Sequence, residues 1–367
     1  MIVTTWRPDV LGDGYEQLDL PLGTDPDGEG EISATLVRYQ PATTDLPDRA
    51  VLYIHGFTDY FFQQHLAEHF AARGYRFFAL DLRKCGRSRA PGHTPHFVTD
   101  LAYYDAELDE ALRVVRSEVG GGVLLAAHST GGLVLPLWLD RLGRRPGGPA
   151  AAGIVGLVLN SPWFDLQGPS YLRNVGTTLI DAVGRLRPRA PIPLPKTESY
   201  GRSLQSDGWR YDLDWKPLTG FPIRFGWLRA VRRGHSVLHR GLDIGVPSLI
   251  LRSGASRSAP RYDASVDTVD AVLDVRQIAR WAGCLGNRTT IVPIDGARHD
   301  VFLSTPGPLA VAFRELDLWL EWLDGADEAE TSGSGTEAET SGSGTETDDF
   351  AGSATVSVLH RPMGEHA

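Results

Sequence analysis

Short apolar runs alternate with segments of helical spacing along most of the chain. The runs that read as buried strands are Arg49–His55, Tyr75–Leu82, Gly122–Ala127, Ile154–Asn160, Pro247–Arg252 and Thr289–Ile294. The segments with apolar residues at helical intervals are Tyr60–Arg73, Phe97–Val119, Gly131–Leu142, Val275–Leu285 and Leu309–Leu323. Parallel strands are buried on both faces and are joined by helices, so this alternation predicts an α/β fold whose parallel sheet is covered by helices on both faces.

One stretch, about 165–245, breaks this rhythm. It is rich in Pro, Arg and aromatic residues, includes the sequence RPRAPIPLPK at Arg187–Lys196, and has few clean periods. A stretch of this length is too long for a plain loop in a compact domain. We therefore predict an inserted subdomain or lid within a domain that spans residues 1–325, and we call 165–245 the inserted segment below.

The C-terminal residues 326–367 form a separate acidic tail in this interpretation. The sequence EAETSGSGT at Glu328–Thr336 repeats without change at Glu337–Thr345. Such a composition cannot bury enough apolar surface to offset the entropy of ordering, so we predict disorder. Most of the net charge of −10 lies at this end of the chain, because ten of the 46 acidic residues but one of the 36 basic residues follow Leu323, which leaves the remainder near −1.

Composition excludes several classes of function. The nearly neutral remainder has no basic stripe for nucleic acid. No apolar run reaches the roughly 18 residues that a transmembrane helix needs, and Met1–Arg7 lacks a signal-peptide core. Two cysteines, Cys85 and Cys284, cannot form a disulfide framework or a zinc knuckle. We predict a soluble cytoplasmic protein with no nucleic-acid partner, no cofactor and no bound metal.

The sequence AHSTGG, Ala127–Gly132, carries the strongest chemical signal. It follows a predicted buried strand and opens a predicted helix. A serine on such a tight turn needs small neighbours, and its hydroxyl then projects at the top of the sheet beside a helix N-terminus. Ala127 replaces the first glycine of G-x-S-x-G with the next smallest side chain. Ser129 is therefore the candidate nucleophile.

A serine hydroxyl needs a general base, and His299 is the best-placed histidine. It lies in DGARHDVFLS, between the last predicted strand and the last predicted helix. His128 adjoins the serine, but at such a turn its side chain should point away and pack beneath the turn. His65 and His69 have the i, i+4 spacing of some metal ligands, but no third ligand is near them in the sequence, so a surface helix face is the preferred interpretation.

The base in turn needs a carboxylate that fixes its tautomer. The position directly after the strand Pro247–Arg252 holds Ser256 and no acid. Asp270 opens DAVLDVRQI, which leads into a helix, and is our candidate. Asp274 and Asp267 are the alternatives, each of which could instead be a solvated loop carboxylate or a helix cap.

The turn YIHGF, Tyr53–Phe57, ends the strand before the first long helix. A His-Gly turn at this place exposes backbone N–H groups toward the serine. The oxyanion-hole donors would then be the N–H groups of Phe57 and Thr130.

Taken in chain order, these motifs resemble the α/β-hydrolase superfamily. HGF, DLRKCGRS at Asp81–Ser88, AHSTGG, a late Asp and GARHD follow one another as they do there. DLRKCGRS and NSPWF at Asn160–Phe164 look most like the branch of monoacylglycerol lipases, lysophospholipases and serine aminopeptidases. The resemblance covers about 30–323. It implies a mostly parallel eight-stranded sheet with a catalytic triad of Ser129, Asp270 and His299 at its carboxyl edge. It also implies an insertion between Ser253–Ser256 and Asp270.

These observations predict a serine hydrolase that cleaves a small-molecule carboxylic ester, such as a monoacylglycerol or lysophospholipid, through an acyl-enzyme. The inserted segment has apolar side chains that suit an acyl chain or its own core: Tyr171, Leu172, Trp209, Trp215, Phe221, Phe225, Trp227 and Leu228. An amidase, peptidase or thioesterase on the same triad remains open, as does a non-catalytic binding protein on this fold. The oligomeric state stays open too.

Overall fold

A twisted sheet lies at the centre of the computed structural model, which describes residues 5–42, 46–167, 180–195, 197–286 and 288–333. Its nine strands are β1 (Arg7–Pro8), β2 (Tyr15–Thr24), β3 (Glu31–Tyr39), β4 (Ala50–Ile54), β5 (Arg76–Asp81), β6 (Val123–His128), β7 (Ile154–Asn160), β8 (Ser248–Ser253) and β9 (Thr289–Ile294). Their order is β1-β2-β3-β5-β4-β6-β7-β8-β9. Strands β4 to β9 are mutually parallel, and β1 to β3 add an antiparallel edge.

Helices cover both faces of the sheet. They are α1 (Gln64–Ala72), α2 (Asp105–Glu118), α3 (Gly131–Leu142), α4 (Gly148–Ala151), α5 (Ser199–Ser206), α6 (Phe225–Leu238), α7 (Val275–Trp281) and α8 (Pro306–Gly333). The predicted α/β architecture is confirmed. The eight strands that the family resemblance implies are present, and the two-residue β1 adds a ninth at the edge.

The core divides along the two faces because successive residues of a strand point to opposite sides. In β4, Leu52 and Ile54 join the cluster that contains α2, α3 and α6, whereas Val51 and Tyr53 join the cluster that contains α1 and α8. All of β4 and β6 is buried. The apolar runs recognised in the sequence are therefore the strands that the helices sandwich.

Helices α1, α2 and α7 are shorter than their apolar spacing predicts. Helix α1 starts at Gln64 rather than near Tyr60 because the N–H of Phe61 donates to Asp81, which holds the preceding residues out of helical geometry. The predicted Phe97–Val119 helix is a 3₁₀ turn followed by α2, and Asp100 caps that turn through the N–H of Ala102. A tight 3₁₀ turn at a helix end is common, and it explains the later start of α2.

By its internal contacts the chain divides into two units, 1–323 and 324–367. The first unit contains the sheet. Its inserted segment adds no strand to the sheet among the described residues, and it contributes α5, α6 and helical residues 180–186. In the second unit the backbone is helical to Gly333, past the predicted tail boundary at 326, and 334–367 lie outside the described residues. The division into a domain and a disordered tail stays a prediction.

Candidate active site

The carboxyl ends of the parallel strands β4, β6, β8 and β9 bring the predicted site residues to one edge of the sheet. Ser129 lies between β6 and α3, with a positive φ of 52°. This left-handed conformation is costly for a serine and fits a sharp strand-to-helix turn. A Cβ added to Gly131 would lie 2.6 Å from the His55 carbonyl oxygen, and one added to Gly132 would lie 2.6 Å from the Cβ of Pro162. The turn therefore requires both glycines.

Ser129, His299 and Asp270 form one chain of hydrogen bonds. The Oγ of Ser129 lies 3.0 Å from Nε2 of His299, and Nδ1 of His299 lies 2.9 Å from Oδ2 of Asp270. All three side chains are buried. A carboxylate only accepts hydrogen bonds, so Nδ1 carries the hydrogen and Nε2 is left to accept the serine proton. This is the arrangement that a general base requires.

Asp270 reaches His299 from a chain segment that leaves the sheet and returns. Ser256 follows β8, and residues 257–269 then loop away before Asp270 pairs with Ser256 in an isolated parallel bridge. The N–H of Asp270 donates to the Ala255 carbonyl at 2.9 Å. Its Oδ1 accepts from the N–H groups of Val272 at 2.8 Å and Leu273 at 2.7 Å. The acid is thus fixed by backbone hydrogen bonds on both sides of the insertion.

The two alternative carboxylates have other partners. Asp274 caps α7 through the N–H of Arg276. Asp267 accepts from the guanidinium of Arg298 at 3.0 Å and from the hydroxyl of Ser203 at 2.5 Å. The structure therefore brings neither of them to His299.

The N–H groups of Phe57 and Thr130 are available as donors. In the described part of the chain, neither group has a hydrogen-bond acceptor, and both residues line the same cavity as Ser129. The two turns approach closely, because a Cβ on Gly56 would lie 2.9 Å from the Cβ of Ser129. Two free N–H groups beside a serine hydroxyl are what an oxyanion hole needs.

A buried polar network, which the sequence did not reveal, ties the loops of the serine and the histidine together. The backbone carbonyl of Asn160, at the end of β7, accepts from the N–H of Ser129 at 3.0 Å. Its side chain donates to Asp300 at 2.6 Å and accepts from the N–H of Val301 at 3.0 Å. Asn160 thus fixes the two residues that follow His299. The motif NSPWF marked this asparagine, but only as part of a resemblance.

His128 does not pack beneath the turn as predicted. Its ring lines the cavity, with the ring centroid 4.8 Å from that of His299. Its Nδ1 donates to Asp59 at 3.1 Å, and the same carboxylate accepts from Nζ of Lys216 at 2.7 Å. Burial alone would raise the pKa of Asp59, but the Lys216 ammonium and the bond from His128 hold it well below its usual range.

A cavity of about 620 Å³ opens in front of Ser129. The inserted segment supplies much of its wall, including Ile192, Leu194, Phe221 and Trp227. Two other apolar residues of this segment, Trp209 and Trp215, pack in a small separate core cluster with Tyr60 and Phe62. Tyr171 and Leu172 lie outside the described residues. The cavity is thus largely apolar, with a few polar groups near the serine.

Tyr200 of α5 closes the cavity over the histidine. Its ring meets the His299 ring edge-on at a centroid distance of 5.7 Å, and its hydroxyl accepts from the N–H of Asp300 at 3.3 Å. Burial, followed by the nearby Asp300 charge, raises the pKa of Tyr200 well above its ordinary value. The phenol therefore stays neutral during any reaction at neutral pH.

His65 and His69, the pair with metal-ligand spacing, each have a partner within the protein. His65 bonds to the Phe302 carbonyl and His69 to Asp317, each at 2.7 Å. Among the residues that the structure describes, no group of three His, Cys, Asp or Glu side chains could hold a metal ion. Within the same part of the chain, every helix is too short or too polar to cross a membrane. The cytoplasmic location stays a prediction.

Comparison with known proteins supports the fold. A family model described as "Serine aminopeptidase, S33" matches residues 45–305. A monoglyceride lipase from Saccharomyces cerevisiae, in complex with a substrate analog, is 18% identical with a TM-score of 0.57, over 87% of this chain and 94% of that one. A monoacylglycerol lipase from Paleococcus ferrophilus is 20% identical with a TM-score of 0.54, over 76% and 95%. No curated protein sequence matches the chain. The structural likeness confirms the predicted α/β-hydrolase fold.

Proposed function

Since the chain belongs to the serine aminopeptidase, S33 family of α/β hydrolases, we propose that it is a serine hydrolase that cleaves a carboxylic ester through an acyl-enzyme intermediate. One observation carries the proposal. Ser129 Oγ lies 3.0 Å from His299 Nε2, which is backed by Asp270 at 2.9 Å, and the serine opens into a largely apolar cavity.

The reaction follows from these contacts. His299 takes the proton of Ser129 as its oxygen attacks the ester carbonyl, and it then gives that proton to the departing alcohol. The free N–H groups of Phe57 and Thr130 stabilise the oxyanion of the tetrahedral intermediate. A water molecule, activated by His299 in the same way, then hydrolyses the acyl-enzyme. Asp270 holds the imidazole in the reactive tautomer and stabilises the imidazolium.

The cavity supports an acyl chain as the apolar part of the substrate. Its size falls in the range of small-molecule sites, and its wall is built mainly from aliphatic, proline and aromatic side chains. The monoglyceride lipases that share the fold point in the same direction. We therefore infer a monoacylglycerol, a lysophospholipid or a similar acyl ester as the substrate.

A fluorophosphonate probe and a substrate panel test this function. The probe should modify Ser129 stoichiometrically in the wild type and leave Ser129→Ala unlabelled. The panel should pair p-nitrophenyl esters of graded length with monoacylglycerols, acyl thioesters and aminoacyl anilides. Ester turnover should exceed anilide turnover and fall on the order of 10³- to 10⁶-fold in Ser129→Ala.

The same data separate the alternatives. Faster cleavage of aminoacyl anilides than of esters would make the protein a peptidase or amidase, and preferred thioester cleavage would make it a thioesterase. A wild-type Ser129 that resists the probe, with no turnover of any substrate, would favour a non-catalytic binding protein and overturn the proposal.

A further inference from the structure

A buried carboxylate lies close to the candidate nucleophile but is already neutralised by the protein itself. Asp59 follows the turn that carries Phe57, and its side chain is 1% exposed. Nζ of Lys216, from the inserted segment, lies 2.7 Å from its Oδ1. His128, the neighbour of Ser129, donates to its other oxygen at 3.1 Å. The acid therefore has a cation on one side and an imidazole on the other.

Lys216 and His128 line the cavity, whereas Asp59 does not. A substrate in the cavity thus meets the ammonium and the imidazole before it meets the carboxylate. The rings of Phe62, Tyr200 and Tyr211 surround the ammonium, with centroids 5.6, 5.9 and 5.9 Å from Nζ. Aromatic faces attract a cation and hold it in place. The positive charge is thus a fixed part of the cavity wall.

We propose that Lys216 is a specificity-determining residue that makes the active site reject substrates with a positive charge near the scissile bond. An aminopeptidase must bind the α-ammonium of its substrate, and a buried carboxylate is the group that would do so. Here Lys216 occupies that carboxylate, and the ammonium is the end of the ion pair that lines the cavity, so a substrate cation would meet a like charge there. The inference rests on the proposed function and narrows it to ester substrates without a positive charge near the scissile bond.

The first measurement compares isosteric substrates that differ in charge. Hexanoyl choline and 3,3-dimethylbutyl hexanoate place a permanent cation or its neutral carbon analogue on the alcohol side. The methyl esters of leucine and of 2-hydroxy-4-methylpentanoic acid, assayed where the amine is protonated, do the same on the acyl side. In the wild type, kcat/KM for the neutral member should exceed that for the cationic member by about tenfold or more in at least one pair.

Three variants then assign the preference to the charge of Lys216. Lys216→Met keeps the length of the side chain but frees the carboxylate of Asp59, so the cationic member should gain about tenfold or more relative to the neutral one. The double variant Asp59→Asn/Lys216→Met has neither charge. Its ratio of kcat/KM for the cationic substrate to kcat/KM for the neutral one should stay well below the ratio of Lys216→Met. Lys216→Arg keeps a cation and should retain the wild-type preference. The choline pair is assayed at pH 8, because the quaternary ammonium of its cationic member keeps its charge at any pH.

The outcomes are distinct. Equal turnover of cationic and neutral substrates by the wild type overturns the proposal. The proposal is also overturned if Lys216→Met and the double variant have the same cationic-to-neutral ratio of kcat/KM, because the freed carboxylate of Asp59 would then have no effect. Fluorophosphonate labelling of Ser129 accompanies every variant. If labelling persists while the ratios fail, only the role of Lys216 is wrong. If the wild type neither reacts with the probe nor turns over any ester, the serine-hydrolase function itself is wrong.

Discussion

Asp270→Asn tests the catalytic assignment most directly, because the structure dictates how the new amide must be oriented. Oδ1 of Asp270 accepts hydrogen bonds from the N–H groups of Val272 and Leu273, at 2.8 and 2.7 Å. An amide at this position keeps its oxygen toward those two donors. Its NH₂ group then faces Nδ1 of His299, which today donates to a carboxylate oxygen 2.9 Å away.

The amide reverses the tautomer of the histidine. Nδ1 must now accept, so the hydrogen moves to Nε2, and Nε2 can no longer take the proton of Ser129. The imidazolium that forms during attack also loses its negative neighbour. The analogous change in a serine protease lowers kcat by about 10⁴-fold, which corresponds to about 5.5 kcal/mol of transition-state stabilisation. We expect a loss of this order here.

Stability should respond far less than activity, since the amide oxygen preserves both backbone hydrogen bonds. We expect the free energy of unfolding in urea to change by about 1 kcal/mol or less. The assay is kcat/KM on the best p-nitrophenyl ester. Asp274→Asn is the matched control, because its amide oxygen can still cap α7, and it should leave kcat/KM close to that of the wild type.

Two results would refute this reasoning. One is an Asp270→Asn variant that retains about a tenth or more of the wild-type kcat/KM, which is far above the expected residual activity. The other is an Asp274→Asn variant that loses as much activity as Asp270→Asn. Either result would remove Asp270 from the triad while leaving Ser129 and His299 to be tested by themselves.

Three further predictions concern support and stability. Asn160→Ala should lower the free energy of unfolding by about 1–3 kcal/mol, because it strips a hydrogen bond from buried Asp300, and an unchanged urea midpoint would contradict this. Burial and, to a smaller extent, the Arg232 charge lower the pKa of His235 to about 3, so between about pH 6.5 and 3 only the unfolded chain binds a proton at this residue. As the pH falls through that window, the free energy of unfolding of the wild type should therefore drop by up to about 1.4 kcal/mol per pH unit more than that of His235→Gln. Parallel curves of unfolding free energy against pH would contradict this prediction. Truncation after Gly333 should leave the melting temperature unchanged, because the Ser, Gly, Thr and Glu of the repeat offer no apolar face, and a drop of several degrees would show otherwise.

Local sequence patterns are sufficient to predict the central strands and the turn around Ser129. Buried parallel strands are continuous apolar runs, and a tight turn leaves small residues on both sides of the serine, so both can be recognised within a few positions. Strands β2 and β3 were missed because they are antiparallel and partly solvated. In β2, the buried Tyr15, Leu18 and Leu20 are separated by polar residues.

Other parts of the site have no local signature. Lys216 and Asp59 are 157 positions apart, and Asn160 and Asp300 are 140 apart. Contacts of this kind depend on how the inserted segment and the strand ends come together, which no periodicity encodes. The position of Asp270 could be predicted only in part from the sequence. The missing acid at Ser256 showed that the loop was unusual, but only the bridge between Ser256 and Asp270 shows how an insertion can leave the carboxylate in place.

The double attachment of Asn160 has a mechanical consequence. The same residue, at the tip of one central strand, holds the loop of Ser129 by its backbone carbonyl and the loop after His299 by its side-chain amide. When thermal motion twists or bends the sheet, this strand tip carries both loops in the same direction. We therefore expect the distance between Ser129 Oγ and His299 Nε2 to vary less than the position of either atom in space. Under the proposed mechanism, Asn160 would thus help to keep constant the distance over which the proton passes from Ser129 to His299.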